Sequence, residues 1–296
     1  MNSITSTRRS FLQTCAALLP GLALAAKPAI KVYHIGLQLY SIRDEMKKDP
    51  IGALNSVAKI GYKEVEAADY TNRKFYGFAA AEFRKILEDT GLSMPTAHTV
   101  FRKAHWLEAQ NDVTDAWKAT LEDALMVGQE YLISPWFEWD LTNPDEMKKG
   151  VAAYNRCGEL CNQAGLRFGF HNHRAEFEVK YDGQPVYEYM LRNWDLRNVS
   201  QQMDLCNLAL ANTDPMYWLR RYPHQFESMH VKDRLAGKDQ STHLGAGTLD
   251  LEEIFAFAKK NTPVKYWVIE QESYGTKTPL EAVAYDLRRF KEYGFL

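Results

Sequence analysis

The sequence predicts an α/β chain closed into an eight-stranded (β/α)8 TIM barrel, and three observations predict it. Beyond residue 30, short β-rich runs alternate with longer stretches of helical periodicity, the pattern of repeated βα units and a parallel sheet. Eight such units fit into roughly 265 residues, the usual size of such a barrel. The first candidate strand is followed by Gln38-Leu39-Tyr40-Ser41-Ile42-Arg43-Asp44, where a doubly wound open sheet would normally place a glycine-rich phosphate loop.

Strands are expected at residues 35–40, 64–67, 94–98, 131–134, 167–171, 199–203, 226–231 and 266–270. Helices are expected at 50–60, 80–90, 113–127, 144–164, 185–192, 215–221, 251–261 and 279–293. Several open on a proline behind a capping residue, as at Asp49-Pro50, Asn143-Pro144 and Asp214-Pro215. Gly61, Gly91, Gly128 and Gly165 each follow a helix, where the closing backbone turns left-handed. A chain of 296 residues, 46% hydrophobic and without low-complexity stretches, can build one large core, so residues 27–296 read as one domain.

Residues 1–26 read differently. Thr7-Arg8-Arg9-Ser10-Phe11-Leu12-Gln13 precedes an apolar run from Cys15 to Ala26, broken by Pro20 and Gly21 and too short for a stable membrane anchor. The paired arginines, Phe-Leu and the small-residue ending Ala23-Leu24-Ala25 resemble a twin-arginine export signal cleaved near Ala25 or Ala26. An uncleaved amphipathic leader is the alternative. The export reading implies passage through the twin-arginine translocation machinery to the periplasm or beyond. Cys157, Cys161 and Cys206 then remain, an odd number at spacings that suit free thiols better than a disulfide framework.

A formal charge of -2 and an isoelectric point near 6.5 leave no excess of Lys and Arg for nucleic acid, so a small-molecule partner fits better. Catalytic groups of such a barrel sit at the carboxyl ends of its strands. Unusual polar residues end seven of the candidates: Gln38, Glu66, His98, His171-Asn172-His173, Asp204, His230 with Lys232, and Glu270 with Glu272. Residues two apart face the same side, so His171 and His173 point together, as do His230 and Lys232, and Glu270 and Glu272. Acids with an imidazole at one mouth form a hard, oxygen-rich site suited to one divalent metal, Mn, Mg, Co or Zn. Taken singly, His98 and Glu66 could be hydrogen-bonded supports, Asp204 a helix cap and His230 a satisfied core histidine.

Four segments carry a resemblance: residues 170–177 (Phe-His-Asn-His-Arg-Ala-Glu-Phe), Met203-Asp204-Leu205, Met229-His230-Val231-Lys232-Asp233 and Val268-Ile269-Glu270-Gln271-Glu272. With Gly36-Leu37-Gln38-Leu39-Tyr40-Ser41 and the 244–250 stretch Leu-Gly-Ala-Gly-Thr-Leu-Asp, they resemble the xylose isomerase-like sugar phosphate isomerase/epimerase superfamily over nearly the whole mature chain. The resemblance implies one metal held by a Glu after strand five, an Asp after strand six, a His after strand seven and a Glu after strand eight. Asp204, His230 and Glu270 match the last three. Many members end strand five with the ligand Glu, whereas this chain has His171 there. Glu176 is therefore assigned to the metal, with His171 or His173 as the substitute. The superfamily also contains abasic-site endonucleases, whose histidine-rich pattern is not met here, and dehydratases or hydratases of keto-sugars and cyclitols.

The shared chemistry is removal of a proton beside a carbonyl through an enediolate whose charge a metal stabilises. Return of the proton gives an isomerase or epimerase; departure of hydroxide gives a dehydratase. Glu270 is assigned as ligand and base, with His173 or Glu176 across the sugar and Lys232 steadying a sugar oxygen. Gln38, Glu66, His98, Trp136, His171 and Glu272 are assigned to substrate binding. Tyr40, Phe101, Trp106, Trp136, Phe137 and Trp139 are candidates to stack on a sugar face, with ordinary packing as the alternative. No phosphate cradle is evident, so the expected partner is an unphosphorylated sugar, keto-sugar or cyclitol. A carbohydrate-binding protein without catalysis is the reading of another class, and monomer versus homo-oligomer is left open.

Overall fold

A computed structural model describes residues 33–295. The export signal expected at residues 1–26, with Cys15, lies outside the described residues. Eight parallel strands close the barrel: β1 (His34–Gln38), β2 (Glu64–Ala67), β3 (Ser93–His98), β4 (Tyr131–Ser134), β5 (Arg167–His171), β6 (Val199–Asp204), β7 (Phe226–Val231) and β8 (Tyr266–Ile269). They pair in the order β1-β8-β7-β6-β5-β4-β3-β2, each beside its sequence neighbours and β8 back against β1. Outer helices follow them in turn: α1 (Pro50–Ile60), α2 (Ala80–Thr90), α3 (Asp115–Val127), α4 (Pro144–Ala164), α5 (Val186–Asn193), α6 (Pro215–Arg221), α7 (Leu251–Asn261) and α8 (Pro279–Glu292).

The expected elements are all present, and local chemistry explains the shifted ends. β1 stops at Gln38 rather than residue 40 because the Gln38 side chain accepts the Tyr40 N–H at 3.2 Å and turns the chain into a 3-10 segment, Leu39–Ile42. β6 runs on to Asp204, whose carboxylate accepts the Asn207 N–H at 2.7 Å and caps the short helix Leu205–Leu210. Asp49 caps α1 through Gly52 N–H at 3.0 Å, ahead of Pro50. Gly61, Gly91, Gly128 and Gly165 close α1 to α4 with φ of 114°, 70°, 94° and 88°, as expected.

Alternation along the strands separates two polar and apolar zones. Phe168 and Phe170 of β5 face outward and pack among Phe101, Tyr154 and Trp194, fully inside the sheet-to-helix layer. The amino-terminal end of the barrel is closed by Glu227, which accepts the Tyr131 hydroxyl at 2.8 Å and pairs with Arg167 at 2.5 Å. The opposite end carries the irregular segments: short antiparallel ladders lie in the loops after β2, β3, β5 and β7. Cys157, Cys161 and Cys206 are buried free thiols, as expected. Among the described residues no helix is long and apolar enough to cross a membrane.

Candidate active site

The polar strand ends meet on the barrel axis, and Glu66 is their hub. Its carboxylate, fully buried, accepts from Gln38 Nε2 at 2.7 Å and His230 Nε2 at 2.6 Å on one oxygen, with His98 Nε2 at 3.1 Å. The other oxygen accepts from Gln202 Nε2 at 2.8 Å. Burial would raise its pKa, but the His98 and His230 charges hold it down at about 2. Both Glu66 and Gln202 follow a register irregularity, between Glu64 and Glu66 in β2 and between Gln201 and Gln202 in β6. Such irregularities re-aim side chains beside functional sites. Gln38 and Glu66, assigned above to substrate binding, therefore lie beneath the cavity floor: their polar atoms are spent on each other and on the histidines.

Gln202 is a site residue that sequence reasoning missed. Because its NH2 faces Glu66, its Oε1 must accept, and it does so from His98 Nε2 at 2.7 Å and His171 Nδ1 at 2.9 Å. His171 is thus protonated on Nδ1, leaving Nε2 bare at 3.8 Å from Asp204 Oδ2. Burial, with the neighbouring His230, drives the His171 pKa well below its ordinary value. The signal was present: a Gln two residues before Asp204 in a buried strand shares its face.

Two groups of donor atoms converge within 4.8 Å, His98 with His171 and His230, and Asp204 with His230 and Glu270. In the first group His98 Nε2, His171 Nδ1 and His230 Nε2 are spent on Glu66 and Gln202, which leaves His171 Nε2 bare. In the second, Asp204 Oδ2 is buried with no hydrogen bond to the described residues, while His230 Nδ1 and Glu270 Oε2 face each other at 3.1 Å, a contact a cation would replace. Lys232 Nζ donates to Glu270 Oε2 at 3.1 Å, lies 3.7 Å from Asp204 Oδ2 and pairs with Glu272. Burial works against both the His230 and the Lys232 charge. Glu66 and Glu270 nevertheless lift His230 to about 10, and Glu270, Asp204 and Glu272 lift Lys232 well above its usual range. Glu270 is held low by Lys232 and His230 against its burial, while burial raises Asp204. An orphaned carboxylate oxygen, an imidazole nitrogen anchored from behind by Glu66 and a second carboxylate suit a divalent cation.

Beyond β5 the chain departs from the assignment to Glu176. That carboxylate is buried, accepts the His173 N–H at 2.8 Å, and belongs to neither donor group. Burial raises its pKa to about 7. His173 lines the cavity, stacked on Trp136 with ring centroids 4.1 Å apart and planes 5° apart. Burial lowers its pKa to about 4, so it is neutral at pH 7. Asn172 between them clamps the end of β6, accepting Asp204 N–H at 3.0 Å.

One cavity of about 930 Å³ opens above this floor. His98, His171, His173, Lys232, Glu270 and Glu272 reach it, as do Trp136 and Tyr40, each about half exposed. Phe101, Phe137 and Trp139 are instead core residues around Tyr154, and Trp106 is half-buried in a short ladder, so packing accounts for them. The Asp beside Lys232 organises the glycine-containing loop. Asp233 accepts the N–H groups of Gly245, Gly247 and Leu249 at 3.1, 3.0 and 3.2 Å. A Cβ on Gly247 would stand 2.1 Å from its carboxylate.

A closed (β/α)8 barrel with a cavity of acids and imidazoles at the carboxyl ends of its strands is the architecture of a small-molecule enzyme. The chain belongs to the xylose isomerase-like TIM barrel family, which matches residues 54–293. It is similar to the solved structure of a sugar phosphate isomerase/epimerase from Parabacteroides distasonis, at 26% identity and a TM-score of 0.77, covering 89% of this chain and 99% of that one. A D-psicose 3-epimerase solved in the presence of D-fructose shares the fold at 14% identity and a TM-score of 0.65, covering 89% and 100% of the two chains. A probable 3-DHS dehydratase from Bacillus anthracis does so at 13% and 0.64, covering 87% and 98%. No curated protein matches the chain.

Proposed function

We propose that this protein is a divalent-metal-dependent isomerase or epimerase of an unphosphorylated sugar or keto-sugar. The observation that carries the reading is the convergence of Asp204, His230 and Glu270 at the cavity floor, with Asp204 Oδ2 making no hydrogen bond to the described residues. Asp204, His230 and Glu270 would hold the cation, with His171 Nε2 as the strand-five donor. When bound, the cation supplies positive charge beside the oxygen on which negative charge collects as the proton leaves.

The remaining work falls to the chain's own groups. Glu270 Oε2 is engaged by His230 and Lys232, while Oε1 makes no hydrogen bond to the described residues and can take a proton from carbon. Its low pKa keeps it ionised at neutral pH. His173 reaches the cavity from β5, across the mouth from β8, and as a neutral imidazole can accept or pass on a proton there. Lys232 donates to a substrate oxygen, and the open face of Trp136 carries the sugar's apolar side. Lys232, held charged beside Glu272, also offers a positive charge and a hydrogen bond to a departing hydroxide, which supports a dehydratase as the second reading.

The test is solvent deuterium incorporation into a panel of ketoses and aldoses by protein loaded with Mn and by the same protein after chelation. Metal-dependent incorporation beside the carbonyl, with or without loss of water, separates the two readings. Incorporation that is unchanged by chelation, or absent for every sugar, contradicts the proposal.

A further inference from the structure

The cavity is larger than this chemistry needs. Sites of about 300–1,000 Å³ hold ligands of drug size, so in the 930 Å³ here a single ring at Glu270 and His173 leaves much space unfilled. The unused part lies against the loops after β2 and β3, where Asp69, Tyr70, Asn72, Arg73, His105 and Ala116 line it.

This wall is built with some care. Asn72 and Arg73 form the tip of a hairpin, both left-handed with φ of 52° and 60°, a conformation unfavourable for a side chain as large as Arg. Asp123 of α3, almost wholly buried, holds Arg73 there through Nε and Nη2 at 2.8 and 2.7 Å. It also accepts the Tyr70 hydroxyl at 2.6 Å. The arginines of this wall are paired, Arg73 with Asp123 and Arg102 with Glu138 at 2.5 Å. Each cation of this wall is matched by a carboxylate, so the wall presents hydrogen-bonding groups without an excess of positive charge, which suits a neutral, hydroxyl-rich group. Asn72 is exposed, and its amide makes no hydrogen bond to the described residues.

We infer that this lobe is a second sugar subsite, and that the substrate is a glycoside or disaccharide. Its reacting ring lies at Glu270, and its second ring between the 70–79 hairpin and the start of α3. The inference rests on the carbohydrate reading above.

Calorimetric titration of the Mn-loaded protein with fructose, and with lactulose, maltulose and turanose, each a fructose bearing a second ring, tests it. At least one disaccharide is expected to bind about tenfold or more tighter than fructose. Ala116→Trp, at an exposed helix position, fills the lobe and should remove most of that advantage. Asn72→Gly keeps the left-handed turn and should cost a few-fold. Fructose affinity should stay within about a factor of two in both variants, which also reports folding. The inference is overturned if no disaccharide outbinds fructose, or if the variants weaken both classes alike. Binding is read without turnover, so preferential disaccharide binding by a protein that exchanges no sugar proton keeps the subsite and removes the isomerase reading.

Discussion

A single amide, Gln202, settles the protonation of two imidazoles, because Glu66 fixes which end of it can accept. The same logic applies to His230. Its Nε2–H is anchored on an ionised carboxylate, which leaves Nδ1 as the atom turned toward Glu270 and Asp204. Glu176 stands at the other extreme, buried, with its hydrogen bond going to the backbone of His173. Its pKa of about 7 gives a signed expectation. Between the ordinary value of 4.5 and about 7, the folded state holds a proton that the unfolded state has lost, so Glu176 lowers stability as pH rises through that window. Glu176→Gln keeps an oxygen for His173 N–H and removes the penalty. In chelator, urea unfolding should find the variant more stable by up to about 3 kcal/mol at pH 8, with no difference near pH 4. Equal stability at both pH values would contradict the burial argument, and a loss of bound metal in the variant would restore Glu176 as a ligand.

At the scale of elements, the site depends on how loops are tied down behind it. Asp233 draws the 245–249 loop inward with its carboxylate, next to Lys232. Gln271 accepts from Ser241 Oγ at 2.6 Å and receives support through its own N–H, which donates to Ser41 Oγ at 3.0 Å, so the segment bearing Glu270 and Glu272 is held on both sides. Gly247→Ala places a methyl group against Asp233 and the Arg234 carbonyl. It should cost about 1–3 kcal/mol in urea unfolding, and an unchanged midpoint would mean the loop yields freely. These ties explain what the sequence could and could not reveal. Strand ends such as His171, Asp204 and His230 were legible because period two and barrel geometry fix where they point. Glu176 lies in a single helical turn after β5, Ala175–Glu178, too short for a period to constrain it, and its side chain is buried away from the donor groups. Arg73 and Asp123 were illegible for a related reason: 50 residues separate them, and only the left-handed hairpin turn brings them together.

For the whole molecule, closure of the barrel turns scattered strand ends into one site. Glu66 and His230 are 164 residues apart and meet at 2.6 Å because β2 and β7, three strands apart around the closed barrel, both turn them onto the axis. The βα rhythm made the architecture and the broad chemistry legible. The cavity's second lobe was not, since it arises from insertions between strands and helices that follow no repeat. The central claim is that Glu270, in the donor set with Asp204 and His230, takes the proton. The most direct test is proton exchange between solvent and a reacting sugar by Glu270→Gln at saturating metal, beside His98→Ala. Glu270→Gln conserves size, so it should fold normally and lose about a hundred- to ten-thousand-fold in exchange rate, while His98→Ala, which removes a partner of Glu66 and Gln202 at the cavity wall, loses less. Near wild-type exchange by metal-saturated Glu270→Gln would contradict the account and move the proton transfer to His173.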